Sequence, residues 1–239
     1  MRVMLKEQRQ ETPDTMTFVF DLGGQPYPYT AGQFAFFELD KLAVEDERGK
    51  RRHFTLSSSP TEQGIVQITT KIRGSGFKET LRTAPLGLEL TLEDARGRFT
   101  LPENADAPLI YLGGGVGVTP FRSTLRYATD ENLPHQITML YSAQTSEQIV
   151  FHHEFELLPQ ENHNANIILT VTDPSKDPNW KGETGRIDAD KIKKYVKDIP
   201  NALFYTCGPP PMVQAMEELL KTMGVAEDRI HVERFTGYV

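Results

Sequence analysis

The chain has 239 residues, 38% of them hydrophobic and 25% charged, with a net charge of −7; that is the make-up of a globular protein of one or two domains with a sizeable core. The acidic balance argues against nucleic acid as a partner, no apolar run reaches the length of a membrane span, and Met1-Arg2-Val3-Met4-Leu5-Lys6 carries no signal-peptide core, so the expected location is cytoplasmic. The single cysteine, Cys207, excludes an internal disulfide and any iron–sulfur or zinc centre built on several thiolates within the chain.

The first hundred residues read as β-rich. Short alternating or β-branched runs at 15–21, 33–39, 54–58, 65–71 and 88–92 are punctuated by Gly and Pro, and only 76–83 has a helical pattern, which predicts a small antiparallel β-barrel. The hydrophilic stretch 42–50 reads as a surface loop. Near Leu101-Pro102-Glu103-Asn104-Ala105 the character changes, dividing the chain into domains at 1–102 and 103–239. Beyond that point apolar strands at 109–112, 137–141, 167–171, 203–207 and 230–235 alternate with helical patterns at 120–128, 147–158, 189–196 and 210–223, which predicts a C-terminal α/β domain with a parallel sheet. Residues 1–100 carry 14 Lys and Arg against 14 Asp and Glu, and residues 101–239 carry 12 against 19. The cations of the first part, among them Arg51, Arg52, Lys71, Arg73 and Lys78, suit either a solvated mixed surface or a positive rim around an anionic ligand.

Several segments carry chemistry. Arg52-His53-Phe54-Thr55-Leu56-Ser57-Ser58 places a fixed cation, a ring and hydroxyls on one short strand, a combination suited to a flat phosphorylated ring and equally at home in an ordinary barrel. Thr70-Lys71-Ile72-Arg73-Gly74-Ser75-Gly76-Phe77 joins a strand to the short helix, and its small residues and backbone amides are a candidate cradle for pyrophosphate. Gly113-Gly114-Gly115-Val116-Gly117-Val118-Thr119-Pro120 follows an apolar strand and opens a helix, where the free N–H groups and the helix dipole favour an anion. It departs from the Gly-x-Gly-x-x-Gly fingerprint, because Val118 stands at the third glycine. The tip of the next strand, Tyr141-Ser142-Ala143-Gln144, lies where an adenosine ribose would sit. It has neither the acid that would specify NAD nor an Arg for a 2′-phosphate, so the expectation leans slightly towards NADH. Cys207-Gly208-Pro209-Pro210-Pro211-Met212 ends a strand at the crevice side of such a sheet and enters a helix through proline. Glu233 and Phe235 share one face of the last strand. The six histidines show no ligand spacing, so no metal is expected and redox chemistry here calls for an organic cofactor.

Taken in order, these segments resemble the ferredoxin–NADP⁺ reductase superfamily, flavoprotein reductases with a flavin barrel followed by a nicotinamide domain. Tyr29-Thr30-Ala31-Gly32-Gln33-Phe34 and Gly97-Arg98-Phe99 add to the match, which spans nearly the whole chain; Phe54 replaces the tyrosine usual in the flavin motif. The resemblance implies FAD as cofactor and NADH or NADPH as hydride donor. Arg52 would bind a flavin phosphate, Phe54 would stack on the isoalloxazine and Thr55 would bond near flavin N5. His53, Ser58, Thr70, Lys71, Gly74, Ser75, Gly76 and Phe77 would complete the FAD site, with Phe235 or Tyr238 covering the second flavin face. Gly114, Gly115, Val116, Gly117, Thr119, Ser142, Cys207, Gly208, Pro209 and Met212 would hold NAD(P), and Thr55, Cys207 and Glu233 would serve hydride transfer. A separate electron acceptor such as a ferredoxin, a flavodoxin or an oxygenase component is the expected partner. Two alternatives stay open: a reductase of small acceptors such as free flavin or ferric chelates, and a non-catalytic flavin- or nucleotide-binding sensor.

Overall fold

The computed structural model describes residues 1–235. They form two compact units, one made of Met1–Leu101 and Thr119–Tyr127, the other of Pro102–Val118 and the chain from Ala128 onward.

The first unit is built on a six-stranded antiparallel sheet. Its strands are β1 (Arg2–Thr12), β2 (Thr15–Asp21), β3 (Phe34–Leu39), β4 (Arg51–Thr55), β5 (Ile65–Lys71) and, after the helix α1 (Gly76–Thr83), β6 (Glu89–Leu92). The spatial order is β4-β3-β6-β1-β2-β5. A bridge between Leu56 and Ile68 joins the two end strands and closes the barrel. Alternate side chains fill it, Leu5, Phe18, Phe20, Phe37, Leu39 and Ile68 being fully buried, as the period of two requires. Nothing in the sequence signals β1: its centre, Lys6-Glu7-Gln8-Arg9-Gln10, is polar, and pairing with β2 and β6 rather than hydrophobicity makes it a strand. The strand expected at 54–58 lies at Arg51–Thr55 instead. Past Leu56 one backbone bond remains, Ser57 N–H to the Gln67 carbonyl at 2.8 Å, while Ser58 Oγ accepts the Gln67 N–H at 2.9 Å in place of a strand carbonyl.

The second unit holds a six-stranded sheet ordered β10-β9-β8-β7-β11-β12. In chain order it comprises β7 (Leu109–Gly114), β8 (Ile137–Ala143), α3 (His152–Glu161), β9 (Ala165–Val171), β10 (Glu183–Thr184), α4 (Ala189–Tyr195), β11 (Leu203–Gly208), α5 (Pro210–Thr222) and β12 (Ile230–Arg234). All its strand pairs are parallel. The central β7 is buried throughout, Leu109–Gly114, the continuous apolar run expected of a strand covered on both faces. After β7 come a 3₁₀ turn, Gly115–Val118, and the helix α2 (Thr119–Asp130), whose residues Thr119–Tyr127 belong to the first unit. The helix expected at 147–158 begins only at His152. Before it, Ser146–Gln148 forms a separate 3₁₀ turn and Phe151 adopts φ 59°. Asp177 accepts from Ser146 N at 2.7 Å and the Tyr141 hydroxyl accepts from Val150 N at 3.2 Å, holding these amides outside a helix. Among the described residues no helix is long and apolar enough to cross a membrane, and none gathers three or more side chains able to hold a metal ion.

Candidate functional site

In the second unit the winding order of the strands reverses between β7 and β11, neighbours at the centre of the sheet. Crevices of this kind, at the carboxyl ends of parallel strands, are where such sheets bind ligands. The glycine turn after β7 and the Cys207-Gly208 turn after β11 meet there. A Cβ on Gly117 would lie 2.2 Å from the Cys207 carbonyl oxygen, and one on Gly114 would lie 2.7 Å from Met212 Sδ. Glycine is therefore required by the closeness of the strand ends, and Gly115 and Gly208 adopt φ of 55° and 145°. The Tyr141 hydroxyl donates to the Gly115 carbonyl at 3.1 Å, pinning the turn to the neighbouring strand. Gly114, Gly115, Val116, Gly117, Cys207, Gly208, Pro209 and Met212 are thus brought to one end of the sheet, with Val116 buried inside the turn.

Cys207 is fully buried and pairs across the ladder with Glu233, its thiol donating to Glu233 Oε2 at 3.9 Å. Burial pushes the Cys207 thiol well up, and the neighbouring carboxylate adds to the shift. Burial likewise raises Glu233 from 4.5 to about 7, the thiol contact opposing it. The crevice therefore holds a carboxyl that exchanges its proton near neutral pH beside a thiol that stays protonated. Phe235 follows directly, its N–H donating to the Gly208 carbonyl at 3.1 Å. Tyr238 lies outside the described residues.

At the tip of β8, Ser142 lines a cleft of about 350 Å³ with Thr172, Arg186, Ile187, Met212 and Met216. Arg186 comes from a segment 44 residues away in sequence, and no acid faces it among the described residues that line the cleft. Buried Lys191 orders the turn that carries it, donating to the carbonyls of Thr184 at 2.6 Å and Arg186 at 3.1 Å. A cation absent from the strand tip in sequence is thus supplied by another strand's turn.

In the first unit β4 places Arg52 and Phe54 on the inner side and His53 on the outer, as alternation demands. Arg52 is 6% exposed. Its Nη1 donates to the carbonyls of Arg48 at 2.6 Å, Arg51 at 2.8 Å and Gly49 at 2.9 Å. Phe54 is 8% exposed and packs on Phe37 and Phe77, leaving only a rim of the ring for a ligand. His53 is exposed beside Phe34 and Phe36. The Thr55 hydroxyl makes no hydrogen bond among the described residues, so its donor is available to a bound group. The Ser58 hydroxyl is already engaged, with Tyr29 at 2.9 Å and with Gln67 N. Thr70 is buried, and Lys71 pairs with Asp14 at 2.7 Å.

The segment Gly74-Ser75-Gly76-Phe77 leads into α1, capped by Ser75, and Gly74, Ser75 and Gly76 line a cleft of about 550 Å³ with Arg48, Arg73 and the carboxylates of Glu45, Asp46, Glu47 and Glu79. The Phe77 ring is fully buried, so this residue can meet a ligand only through its backbone. Asp46, in the loop read as plain surface, was invisible as a site residue in the sequence. Its side chain is 7% exposed and lies at the helix end, accepting from Ser75 Oγ at 2.9 Å and Phe77 N at 3.2 Å.

The second missed feature is an ion pair. Glu62 receives both Arg122 Nη1 at 2.6 Å and Arg122 Nη2 at 3.1 Å, and Nη1 also donates to the Ser57 carbonyl at 2.9 Å. Together with Ser123 Oγ, which donates to the Ser58 carbonyl at 2.6 Å, it fastens the start of α2 to the segment after β4. The two partners are 60 residues apart in sequence, and no local pattern announces them.

Comparison with known proteins agrees with this architecture. Residues 111–218 match the family described as the oxidoreductase NAD-binding domain. The glycine betaine monooxygenase reductase subunit of Chromohalobacter salexigens is 31% identical over 235 residues, covering 95% of this chain and 61% of that one. A subunit of the Na⁺-translocating NADH-quinone reductase of Idiomarina loihiensis is 27% identical over 223 residues, covering 86% and 53%. The chain thus spans between half and two thirds of the length of these relatives. The flavohem-like FAD/NAD-binding domain of nitric oxide dioxygenase from Vibrio cholerae superposes with a TM-score of 0.82 at 23% identity, covering 98% of each chain, a likeness of fold. A barrel unit followed by a parallel-sheet unit with its glycine turn at the switch point is a two-part fold shared with that domain, and its second part matches an oxidoreductase NAD-binding domain. The chain has the fold of this FAD/NAD-binding domain, and the family match is confined to residues 111–218.

Proposed function

We propose that this chain is an FAD-dependent NAD(P)H reductase that passes electrons to a separate acceptor protein, such as a ferredoxin, a flavodoxin or an oxygenase component. The observation that carries the reading is the convergence, at the switch point of the parallel sheet, of a glycine turn, Cys207 and the titratable Glu233. The residues of the barrel fit a phosphorylated flavin: Arg52 is a buried guanidinium whose Nε has no partner among the described residues, and its Nη2 lies 2.6 Å from Asp46, which caps the amino end of α1. Bound FAD would supply the conversion of a hydride from NAD(P)H into electrons for the acceptor.

The chain's own residues bind, orient and hold protons. Arg52, Gly74, Ser75, Gly76 and the Phe77 N–H serve the phosphates, and the Thr55 hydroxyl serves the polar edge of the ring. The glycines of 114–117 and the hydroxyl of Thr119 serve the dinucleotide, at a glycine turn whose backbone N–H groups favour anions. Glu233 keeps a proton near neutral pH, with Cys207 donating to it, and Phe235 provides a ring at the end of β12. NADH is the preferred donor in this reading, in line with the name of the Idiomarina relative, and the cytoplasm is the compartment. In this reading residues 1–102 serve the flavin and 103–239 the nicotinamide, although Thr119–Tyr127 pack in the first unit.

Anaerobic mixing of the FAD-loaded protein with NADH, and separately with NADPH, tests the reading. Rapid loss of flavin absorbance with either donor is expected. A loaded protein that keeps its oxidised spectrum with both would overturn it.

A further inference from the structure

The amino end of α1 already receives an anion from the chain itself. Asp46 Oδ2 takes the Ser75 hydroxyl and the Phe77 N–H, while Oδ1 takes the Arg48 N–H at 3.0 Å and lies 2.6 Å from Arg52 Nη2. These are the donors that a phosphate at a helix terminus recruits. The fit to a carboxylate is incomplete. Nε and Nη2 form the side-on edge of a guanidinium, the fork that grips two oxygens at once. In Arg52 both are buried, and neither makes an aligned hydrogen bond among the described residues; the 2.6 Å contact of Nη2 is ionic only. Nη1, in contrast, is saturated by three carbonyls.

Burial, with the charges of Arg48 and Arg52, pushes the Lys78 ammonium down to about 8. The loop that carries Asp46 is seated directly on the helix. Ala43 N donates to Thr80 Oγ1 at 2.8 Å, and a Cβ on Gly76 would stand 2.3 Å from the Val44 carbonyl oxygen.

We infer that Asp46 is a built-in stand-in for a flavin phosphate: loading with a phosphorylated flavin exchanges this carboxylate for a phosphate and lifts the 42–50 loop from α1. The inference rests on the flavin reading above and adds a step to it. One Phe77 N–H and one guanidinium fork cannot serve both anions, so the carboxylate leaves before the phosphate is seated. The loop then acts as an internal competitor that lowers the apparent affinity for FAD and shields a buried cation when no flavin is bound.

The test compares wild type with Asp46→Asn, which keeps the acceptor oxygen and removes the charge. FAD, riboflavin and inorganic pyrophosphate are titrated into the apo-protein by flavin fluorescence and calorimetry. Asp46→Asn is expected to bind FAD and pyrophosphate roughly ten- to a hundredfold more tightly, the range of one charge-assisted contact, with riboflavin affinity unchanged. Equal or weaker binding of both phosphorylated ligands by the variant overturns the inference. Wild-type protein that binds no FAD defeats the flavin reading instead, and the pyrophosphate arm still decides the role of Asp46. If the variant does not fold, rapid-mixing kinetics on wild type decide. The rate of FAD uptake should level off with FAD concentration, limited by departure of the carboxylate, while riboflavin uptake should not. A rate that rises linearly with FAD throughout refutes the exchange.

Discussion

Replacing Glu233 with glutamine removes the one carboxyl in the crevice whose proton affinity lies near neutral pH. Burial raises it from 4.5 to about 7, and a displacement of that size corresponds to roughly 3 kcal/mol between the protonated and ionised forms. The sign follows from proton counting. Between pH 4.5 and 7 the unfolded carboxyl has lost its proton and the folded one keeps it, so the folded chain binds more protons and stability falls as pH rises through this window. Below the window both states are protonated, and above it both are ionised. The advantage of wild type over Glu233→Gln should therefore shrink by up to about 3 kcal/mol from pH 4 to pH 8, read from urea midpoints of the transition that reports the second unit. Carbon NMR of the Glu233 carboxyl gives the same quantity directly, as a titration midpoint near 7. The same proton should appear in single-turnover flavin reduction by NADH as an inflection near neutral pH. That inflection disappears in Glu233→Gln, and the rate falls more than cofactor affinity does. A midpoint near 4.5, together with a pH-independent difference between the two proteins, would refute the argument that burial governs this group.

Three further outcomes are expected. Gly117→Ala drives a methyl into the Cys207 carbonyl oxygen, 2.2 Å away; it should force β7 and β11 apart, cost about 1–3 kcal/mol and abolish nucleotide binding, whereas a variant with native melting temperature and native NADH affinity contradicts the packing. Arg186→Leu should leave NADH use unchanged and cut residual NADPH use about tenfold or more, the value of one charge-assisted contact, measured as the ratio of kcat/KM for the two donors; an unaltered ratio removes Arg186 from the ribose end of the cleft. Arg122→Met leaves Glu62 with the Ser59 N–H alone and the Ser57 carbonyl without its donor and should destabilise by about 1–3 kcal/mol, with a coupling to Glu62→Gln of at least about 1 kcal/mol in a double-mutant cycle; additive effects would show that the pair does not act as a unit.

Residues adjacent in sequence made much of this protein legible in advance. Period-two runs such as 15–21 and 65–71 can bury one face only as strands, and an apolar strand followed by glycines and a helix leaves few alternatives to a dinucleotide turn. Cys207 and Glu233 each stand one residue before the end of a strand, and strand ends in a parallel sheet point to one crevice. What remained hidden depended on contacts between distant segments. The polar β1 is a strand because two neighbours supply its hydrogen bonds. Arg186 reaches the β8 tip only once β9 and β10 are paired, and Arg122 meets Glu62 only when the barrel has closed. Asp46 belonged, by composition, to a charged surface loop; the fold alone brings its carboxylate onto the amino end of α1 and against a buried arginine. Local pattern is set by backbone geometry and solvent exclusion, which act over a few residues. The partner of a buried charge is set by whichever opposite charge the completed topology delivers within a few ångströms, and no spacing in the chain encodes that distance.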